Sequence, residues 1–234
     1  SHYVIMATKQ GQVKKTLLEQ YSRPRVNGIA AITIKEDDEL LEAKLTNGES
    51  QILIAVKSGK LVRFEENKTR PMGRSASGVR GITLGHEKDE VIGMVSVNDM
   101  ESEILVVSEN GYGKRSSLED YRITNRGGKG VKTLNITDKT GELISINNVT
   151  DADDLMIINK SGLTIRMEVS DLRVMGRATQ GVRLINIKGN DSIAAVTKVI
   201  REEQVIDETE GDGENTALEA STNDDASEAE NTEE

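Results

Sequence analysis

The sequence predicts an all-β fold, built as a propeller-like array of four-stranded blades and followed by a disordered tail. Three observations lead to this prediction. A β-branched run closed by a glycine turn recurs four times, at spacings of 48, 52 and 51 residues. Apart from a short turn over Ser116–Tyr121, no stretch has the 3.6-residue periodicity of a helix. Finally, the composition changes abruptly after residue 200.

Each repeat opens with a predicted β-hairpin, in which an apolar strand, a polar turn and a second short strand follow one another. The turns end at Gly11, Gly59, Gly111 and Gly162. A basic residue stands four positions after each turn glycine, and in two repeats the residue before it is basic as well. These hairpin cations are Lys14, Lys15, Arg63, Lys114, Arg115 and Arg166.

Two further apolar strands complete each repeat. The third follows a second glycine and reads IAAITI, VRGITL, VKTLNI or VRLINI, and the fourth closes the repeat. A single four-stranded unit cannot bury its own apolar faces, so neighbouring units are expected to stack. The sequence therefore predicts one domain over 1–200. Its repeats are expected at about 3–50, 51–101, 102–153 and 154–200.

Charge separates the body of the chain from its tail. Residues 201–234 hold one Arg and 14 Asp or Glu, whereas residues 1–200 hold 29 Lys or Arg and 26 Asp or Glu. The tail has too few apolar residues to offset the entropy of ordering, so it is predicted to be disordered. Tethered beside a weakly basic body, it is expected to compete with any anionic partner.

The segments around the second glycine repeat most closely. MGRSASGVR at 72–80 and MGRATQGVR at 175–183 agree at six of nine positions. Cations at equivalent positions would meet the phosphates of a bent duplex at regular intervals. The candidate cations are Arg25, Arg74, Arg80, Arg126, Lys129, Lys132, Arg177 and Arg183. The loop glycines, which would serve backbone geometry or close approach to phosphate, are Gly28, Gly78, Gly127, Gly128, Gly130 and Gly181.

Other interpretations of these cations stay open. The hairpin cations are also consistent with strand residues that face solvent, and Arg74 and Arg177 with ion pairs between blades. The first repeat departs from the pattern. Its segment before the second glycine is two residues shorter, and Ala30 stands where the others have a cation.

The sequence offers no catalytic or metal site. His2 and His86 are isolated, and the Gly-Lys pairs lack the spacing of a phosphate-binding P-loop. Tyr112 and Tyr121 have no accompanying base or metal carboxylates, so both are interpreted as packing residues. Five aromatic residues are too few for a single-strand stacking platform. No apolar run has membrane-spanning length, and the absence of cysteine fits a reducing, cytoplasmic compartment.

These repeats resemble the C-terminal domain of the DNA gyrase A protein over residues 3–200. The motifs that carry the resemblance are GQVKKTLLEQYSRPRVNGIAAI, RPMGRSASGVRGITL, ENGYGKRSSLEDYRITNRGGKGV and RVMGRATQGVRLIN. The resemblance implies a β-pinwheel with a basic rim that bends duplex DNA. It also implies six blades, so two would lie upstream of these four. Thr124–Gly130 keeps the last five letters of the family's glycine-rich box.

The resemblance further implies a function within a larger enzyme. The chain would wrap DNA in a bacterial, cytoplasmic, nucleoid-associated type IIA topoisomerase that introduces negative supercoils. Its partners would be duplex DNA, the N-terminal breakage-reunion part of the same gyrase A protein, and gyrase B in an A2B2 holoenzyme. ATP and Mg²⁺ would bind only elsewhere in that holoenzyme. Two alternatives remain, namely the equivalent domain of topoisomerase IV and a propeller that binds acidic proteins.

Overall fold

The computed structural model describes residues 2–187, 189 and 191–200, and the predicted tail at 201–234 lies outside them. Over the described residues every regular element is a β-strand or a short 3₁₀ turn, which confirms the all-β prediction. The strands are β1 Tyr3–Thr8, β2 Gln12–Leu17, β3 Leu40–Thr46, β4 Gln51–Val56, β5 Lys60–Glu65, β6 Val79–Arg80, β7 Val91–Val97, β8 Glu103–Ser108, β9 Tyr112–Ser117, β10 Val131–Lys132, β11 Leu143–Val149, β12 Asp153–Asn159, β13 Thr164–Glu168, β14 Val182–Arg183 and β15 Ile193–Ile200.

Each of the first three sheets combines strands from two repeats. The orders are β3-β1-β2-β6, β10-β5-β4-β7 and β11-β8-β9-β14, and the fourth described sheet is β13-β12-β15. A hairpin and the last strand come from one repeat, and the short strand at the edge comes from the next. The prediction of four-stranded blades is therefore confirmed, but the strands of a blade are not those of one repeat.

The short strands pair antiparallel with the second hairpin strand of the preceding repeat. Arg80 lies opposite Gln12, Lys132 opposite Lys60, and Arg183 opposite Tyr112. The predicted strand IAAITI of the first repeat is absent, and residues 29–34 form no strand. The other short strands pair with the hairpin of an earlier repeat, and the described residues include no repeat before the first.

The apolar core lies between successive sheets in three clusters. Strand β4 contributes Ile52 and Ile54 to the cluster shared with the first sheet, and Leu53 and Ala55 to the cluster shared with the third. Strand β8 divides its side chains between two clusters in the same way. Because both faces of these central strands are covered, their sequences are apolar throughout and do not alternate between apolar and polar residues.

The second glycine of each of the last three repeats lies against the backbone of the preceding hairpin, whereas Gly28 of the first repeat has no such neighbour. Gly78, Gly130 and Gly181 have φ of 90°, 73° and 80°. A Cβ at these positions would lie 2.6, 2.5 and 2.5 Å from the carbonyl oxygens of Val13, Leu61 and Gly113, respectively. Both the left-handed backbone and the close approach require glycine, which explains its recurrence before each short strand.

We expect Gly130→Ala to destabilise the chain by at least ~1–3 kcal/mol, through backbone strain together with the clash with Leu61. Gly128→Ala is the matched control, because its Cβ would have no neighbour closer than 3.8 Å and its φ is not positive. Urea unfolding of the two variants measures the difference. Equal free energies of unfolding would contradict this account of the glycine.

Candidate nucleic-acid interface

Five of the six predicted hairpin cations are buried. Lys14 and Lys114 have no exposed surface, and Lys15, Arg63 and Arg115 retain 4%, 4% and 7%. They lie on β2, β5 and β9, which the following repeat covers. A buried charge must be paired or hydrogen-bonded to be tolerated, so the partners of these groups define their role.

Most of the partners are backbone carbonyl oxygens of the following repeat. Within their own repeats, Arg63 also bonds to the side chain of Gln51, and Arg115 forms ion pairs with Glu103 and Asp151. Arg63 donates from Nη1 to the oxygens of Leu118 (2.6 Å) and Tyr121 (2.8 Å), at the third-repeat 3₁₀ turn Leu118–Asp120. Arg115 likewise donates to the oxygen of Leu172, just after the turn Val169–Asp171. These guanidinium groups therefore donate to carbonyl oxygens at the start or just after the end of a 3₁₀ turn.

The buried lysines make similar bonds. Lys15 donates to the carbonyl oxygen of Glu66 (3.2 Å) and lies 3.6 Å from its carboxylate. Lys14 donates to the carbonyl oxygen of Ala31 in its own repeat (2.5 Å) and to that of Arg74 in the following one. Lys114 donates to that of Gly176 in the same way. Groups so placed have no free surface for a phosphate, so these five cations are left out of the interface proposed below.

Burial also changes the acidity of the lysines. It lowers the pKa of Lys114 to about 8, an effect to which the charge of Arg177 adds and which that of Asp120 opposes. Burial, followed by the charge of Arg74, lowers the pKa of Lys14 as well. Both shifts arise because an ammonium group loses water that its carbonyl partners only partly replace.

Arg166 is the exception among the hairpin cations, because no described repeat follows it. Its side chain is 53% exposed and pairs with Asp154 at 2.7 Å, within the same repeat. The contrast between Arg166 and its buried equivalents shows that the next repeat, rather than strand position, buries the other cations.

The glycine-loop arginines Arg74, Arg126 and Arg177 are half-buried, and each contacts the preceding repeat. Arg126 donates to the carbonyl oxygens of Lys68 and Arg80, both at 3.0 Å. Arg177 donates to that of Lys132 at 3.0 Å, and Arg74 reaches that of Ala30 at 3.5 Å. The acceptors Ala30, Arg80 and Lys132 occupy equivalent positions, so the contact recurs at each junction.

The predicted cations that remain exposed are mainly those of the short strands. Arg80, Lys132 and Arg183 are exposed on β6, β10 and β14, each at the edge of its sheet. Lys129 is exposed in the loop before β10, and Arg25 in the first repeat. Of the loop glycines, Gly28, Gly127, Gly130 and Gly181 share with Gly78 a positive φ, whereas Gly128 does not.

A second series of exposed cations was not predicted from the sequence. Arg70, Arg122 and Arg173 each stand eleven residues after their turn glycine, and all three are exposed. Arg122 and Lys129 line the same cavity, of about 270 Å³, beside the glycine loop. Their equal offset from the turn glycine is a sequence signal from which they could have been predicted. We call the following residues the exposed cation set: Arg70, Arg80, Arg122, Lys129, Lys132, Arg173 and Arg183.

The described part of the chain contains no arrangement of side chains that indicates a metal site. No group of three or more His, Cys, Asp or Glu side chains is arranged there to hold a metal. No helix there could cross a membrane. Tyr121 is fully buried and bonds to Thr133 Oγ1 at 2.6 Å, while Tyr112 is 6% exposed.

Comparison with known families gives one match, repeated along the chain. The family model described as DNA gyrase C-terminal domain, beta-propeller, matches residues 2–47, 51–98, 102–150 and 153–200.

Curated relatives extend this match. The DNA gyrase A protein of Staphylococcus aureus (strain NCTC 8325 / PS 47) is 46% identical over 217 residues, which cover 92% of this chain and 24% of the relative. The protein of strain MRSA252 is 45% identical over 222 residues, 94% of this chain and 25% of its own. The chain thus spans about a quarter of the length of these relatives.

Solved structures share the fold. The C-terminal domain of DNA topoisomerase IV superposes with a TM-score of 0.80 at 24% identity, covering 85% of this chain and 62% of that one. A DNA gyrase A C-terminal domain gives a TM-score of 0.76, also at 24% identity, covering 85% and 66%. At this identity the likeness is one of fold alone.

We expect Arg63→Met to lower the free energy of unfolding by about 2–4 kcal/mol, because the carbonyl oxygens of Leu118 and Tyr121 and the side chain of Gln51 all lose a buried charged donor. Arg166→Met, at the equivalent position, is expected to cost under about 1 kcal/mol, since water already screens that pair. Urea unfolding compares the two variants. Equal losses would show that the carbonyl contacts of Arg63 do not stabilise the junction.

Lys114 predicts a pH dependence. Its pKa is about 8 in the folded chain and 10.5 as the reference value, so between these values the unfolded chain binds the extra proton. Stability then rises with pH, by at most ~1.4 kcal/mol per unit. Between pH 8 and 10.5, the free energy of unfolding is expected to rise by about 1–3 kcal/mol more in the unsubstituted chain than in Lys114→Met. Urea unfolding at successive pH values measures the gain, and parallel curves for the two proteins would exclude it.

Proposed function

Because the chain belongs to the DNA gyrase C-terminal domain family, we propose that it binds duplex DNA on the exposed cation set and bends the duplex along the array. The observation that carries this proposal is the recurrence of exposed cations at equivalent positions, eleven and twenty-one residues after the turn glycines of the last three repeats. A series of this kind meets phosphates without reading bases, which suits binding through the backbone and deformability of DNA.

The half-buried arginines support the same proposal. Arg126 and Arg177 hold the backbone at Arg80 and Lys132, so the loop of one repeat fixes the short strand of the repeat before it. The exposed side chains at those two positions therefore stand on a constrained backbone. Preorganised cations lose less entropy on binding than cations on flexible loops.

For the whole protein we propose the activity that its relatives' names imply. The chain would be the DNA-wrapping part of gyrase A in an ATP-dependent, cytoplasmic type IIA topoisomerase that introduces negative supercoils. It would act at the nucleoid with the rest of gyrase A and with gyrase B in an A2B2 assembly. In this proposal the chain supplies no catalytic residue, and ATP and Mg²⁺ bind to other parts of the enzyme.

The relatives favour gyrase over topoisomerase IV as the parent enzyme. The relatives at 46% and 45% identity are gyrase proteins, whereas the topoisomerase IV domain shares 24% and carries only a likeness of fold. A propeller that binds acidic proteins is the third candidate. Binding of duplex DNA distinguishes it from the first two.

We expect Lys132→Ala with Arg183→Ala to weaken duplex binding equally on all sequences. The dependence of log K on log salt should flatten by about two, since two phosphate contacts are lost. The matched control is Lys44→Ala with Lys198→Ala, which removes the same charge from strands β3 and β15, away from the short-strand edges. Fluorescence anisotropy of a labelled duplex at several salt concentrations measures both variants. A slope that changes in the control but not in the short-strand variant would refute the proposed surface.

A further inference from the structure

The junction between the third and fourth repeats holds a tyrosine among cations. Tyr112 begins β9 directly opposite Arg183 of β14. Arg183 donates to the phenol oxygen of Tyr112 from Nη2 at 2.9 Å and from Nε at 3.3 Å. The phenol accepts both bonds, so its own proton remains available for a further acceptor.

A second cation lies over the same ring. The Nζ of Lys139 is 5.4 Å from the centroid of the Tyr112 ring, and the guanidinium carbon of Arg183 is 5.5 Å from it. Within the described residues, neither cation forms an ion pair with a carboxylate. Two positive charges therefore converge on one phenol and exceed the single carboxylate of the cavity, which makes the local potential favourable for an anion.

These groups line an open cavity of about 340 Å³, together with Asn110, Asn186 and Asp191. Asp191 is the carboxylate of the lining, and its Oδ1 already accepts from the backbone N–H groups of Ser192 (2.9 Å) and Ser161 (3.2 Å). Although the Asn110 amide already donates to the carbonyl oxygens of Asp138 and Lys139, both at 3.3 Å, the wall offers an ammonium, a guanidinium and a phenol. Phosphate oxygens accept from all of these donors.

We propose that this cavity is a phosphate-binding pocket, in which Lys139 and Arg183 neutralise the anion and Tyr112 donates a hydrogen bond to it. The pocket takes a phosphate group, either from the backbone of the duplex or as free phosphate. As a site for duplex DNA, the pocket rests on the proposed function. It would hold one backbone phosphate of the bound duplex at the edge formed by β9 and β14. The equivalent pairs are Gln12 with Arg80 and Lys60 with Lys132, so the phenol is particular to this junction.

The ionisation of the Tyr112 phenol can report whether a phosphate is bound. The bonds from Arg183 are the largest influence on the phenol, and together with the charges of Arg183 and Lys139 they lower the pKa of Tyr112, although burial, the second-largest influence, opposes them. A phosphate bound beside the ring would disfavour the phenolate and raise that pKa again. Tyrosinate absorbance titrated with and without ligand measures the shift, and Tyr112→Phe identifies which part of the signal belongs to this residue.

The experiment titrates the full chain in chloride at constant ionic strength, then with inorganic phosphate, then with a short duplex. Phosphate is expected to raise the pKa of Tyr112 saturably, and Lys139→Gln should weaken that effect at least tenfold. The matched control is Lys88→Gln, an exposed lysine in the corresponding loop of the second repeat. A shift with the duplex in the absence of added phosphate identifies a backbone phosphate of the duplex as the ligand, and a shift with phosphate but not with the bound duplex identifies the free anion.

Failure of the pocket and failure of the proposed function give different results. If the duplex binds but neither duplex nor phosphate alters the titration of Tyr112, the pocket is wrong and DNA binding by the exposed cation set stands. If phosphate shifts the pKa of Tyr112 but the duplex does not bind, the pocket stands and the proposed function is wrong. An effect of Lys88→Gln equal to that of Lys139→Gln would overturn the pocket by showing a nonspecific charge effect.

Discussion

The pairing of each short strand with the hairpin of the preceding repeat is the interaction on which the array depends. It joins residues far apart in sequence, as in the pair Arg80 with Gln12. When the short strand pairs, the loop that precedes it packs over the second hairpin strand. The cations on that hairpin strand are thereby buried. Those cations then bond to carbonyl oxygens of the arriving repeat, as Arg63 does at Leu118. The glycine before the strand permits the approach.

This arrangement divides one repeated set of cations into two groups with different roles. The hairpin cations face the next repeat and stabilise the junction, whereas the short-strand cations lie at the sheet edge and face solvent. Both groups recur with the same period, because both follow from the same junction. The division also explains Arg166, which is equivalent to Arg63 but remains exposed where no described repeat follows.

Much of the fold could be predicted from the sequence, and less of the site. The period, the hairpins and the all-β class follow from local patterns that a turn glycine fixes. Exchange of the short strand could not be predicted, because the period is identical whether Val131–Lys132 joins its own sheet or the preceding one. The burial of Lys14 and Lys114 depends on that exchange, so they were indistinguishable in sequence from exposed Lys132. Arg122, in contrast, was predictable from its constant offset.

The most direct test of this division is lysine acetylation followed by mass spectrometry, on the free chain and on its complex with duplex DNA. The account predicts that DNA protects Lys129 and Lys132, while Lys44 and Lys198 react equally in both states. Lys14 and Lys114 should stay unreactive throughout, because the following repeat covers them. Ready reaction of Lys14 and Lys114 in the free chain, with protection by DNA, would contradict the account.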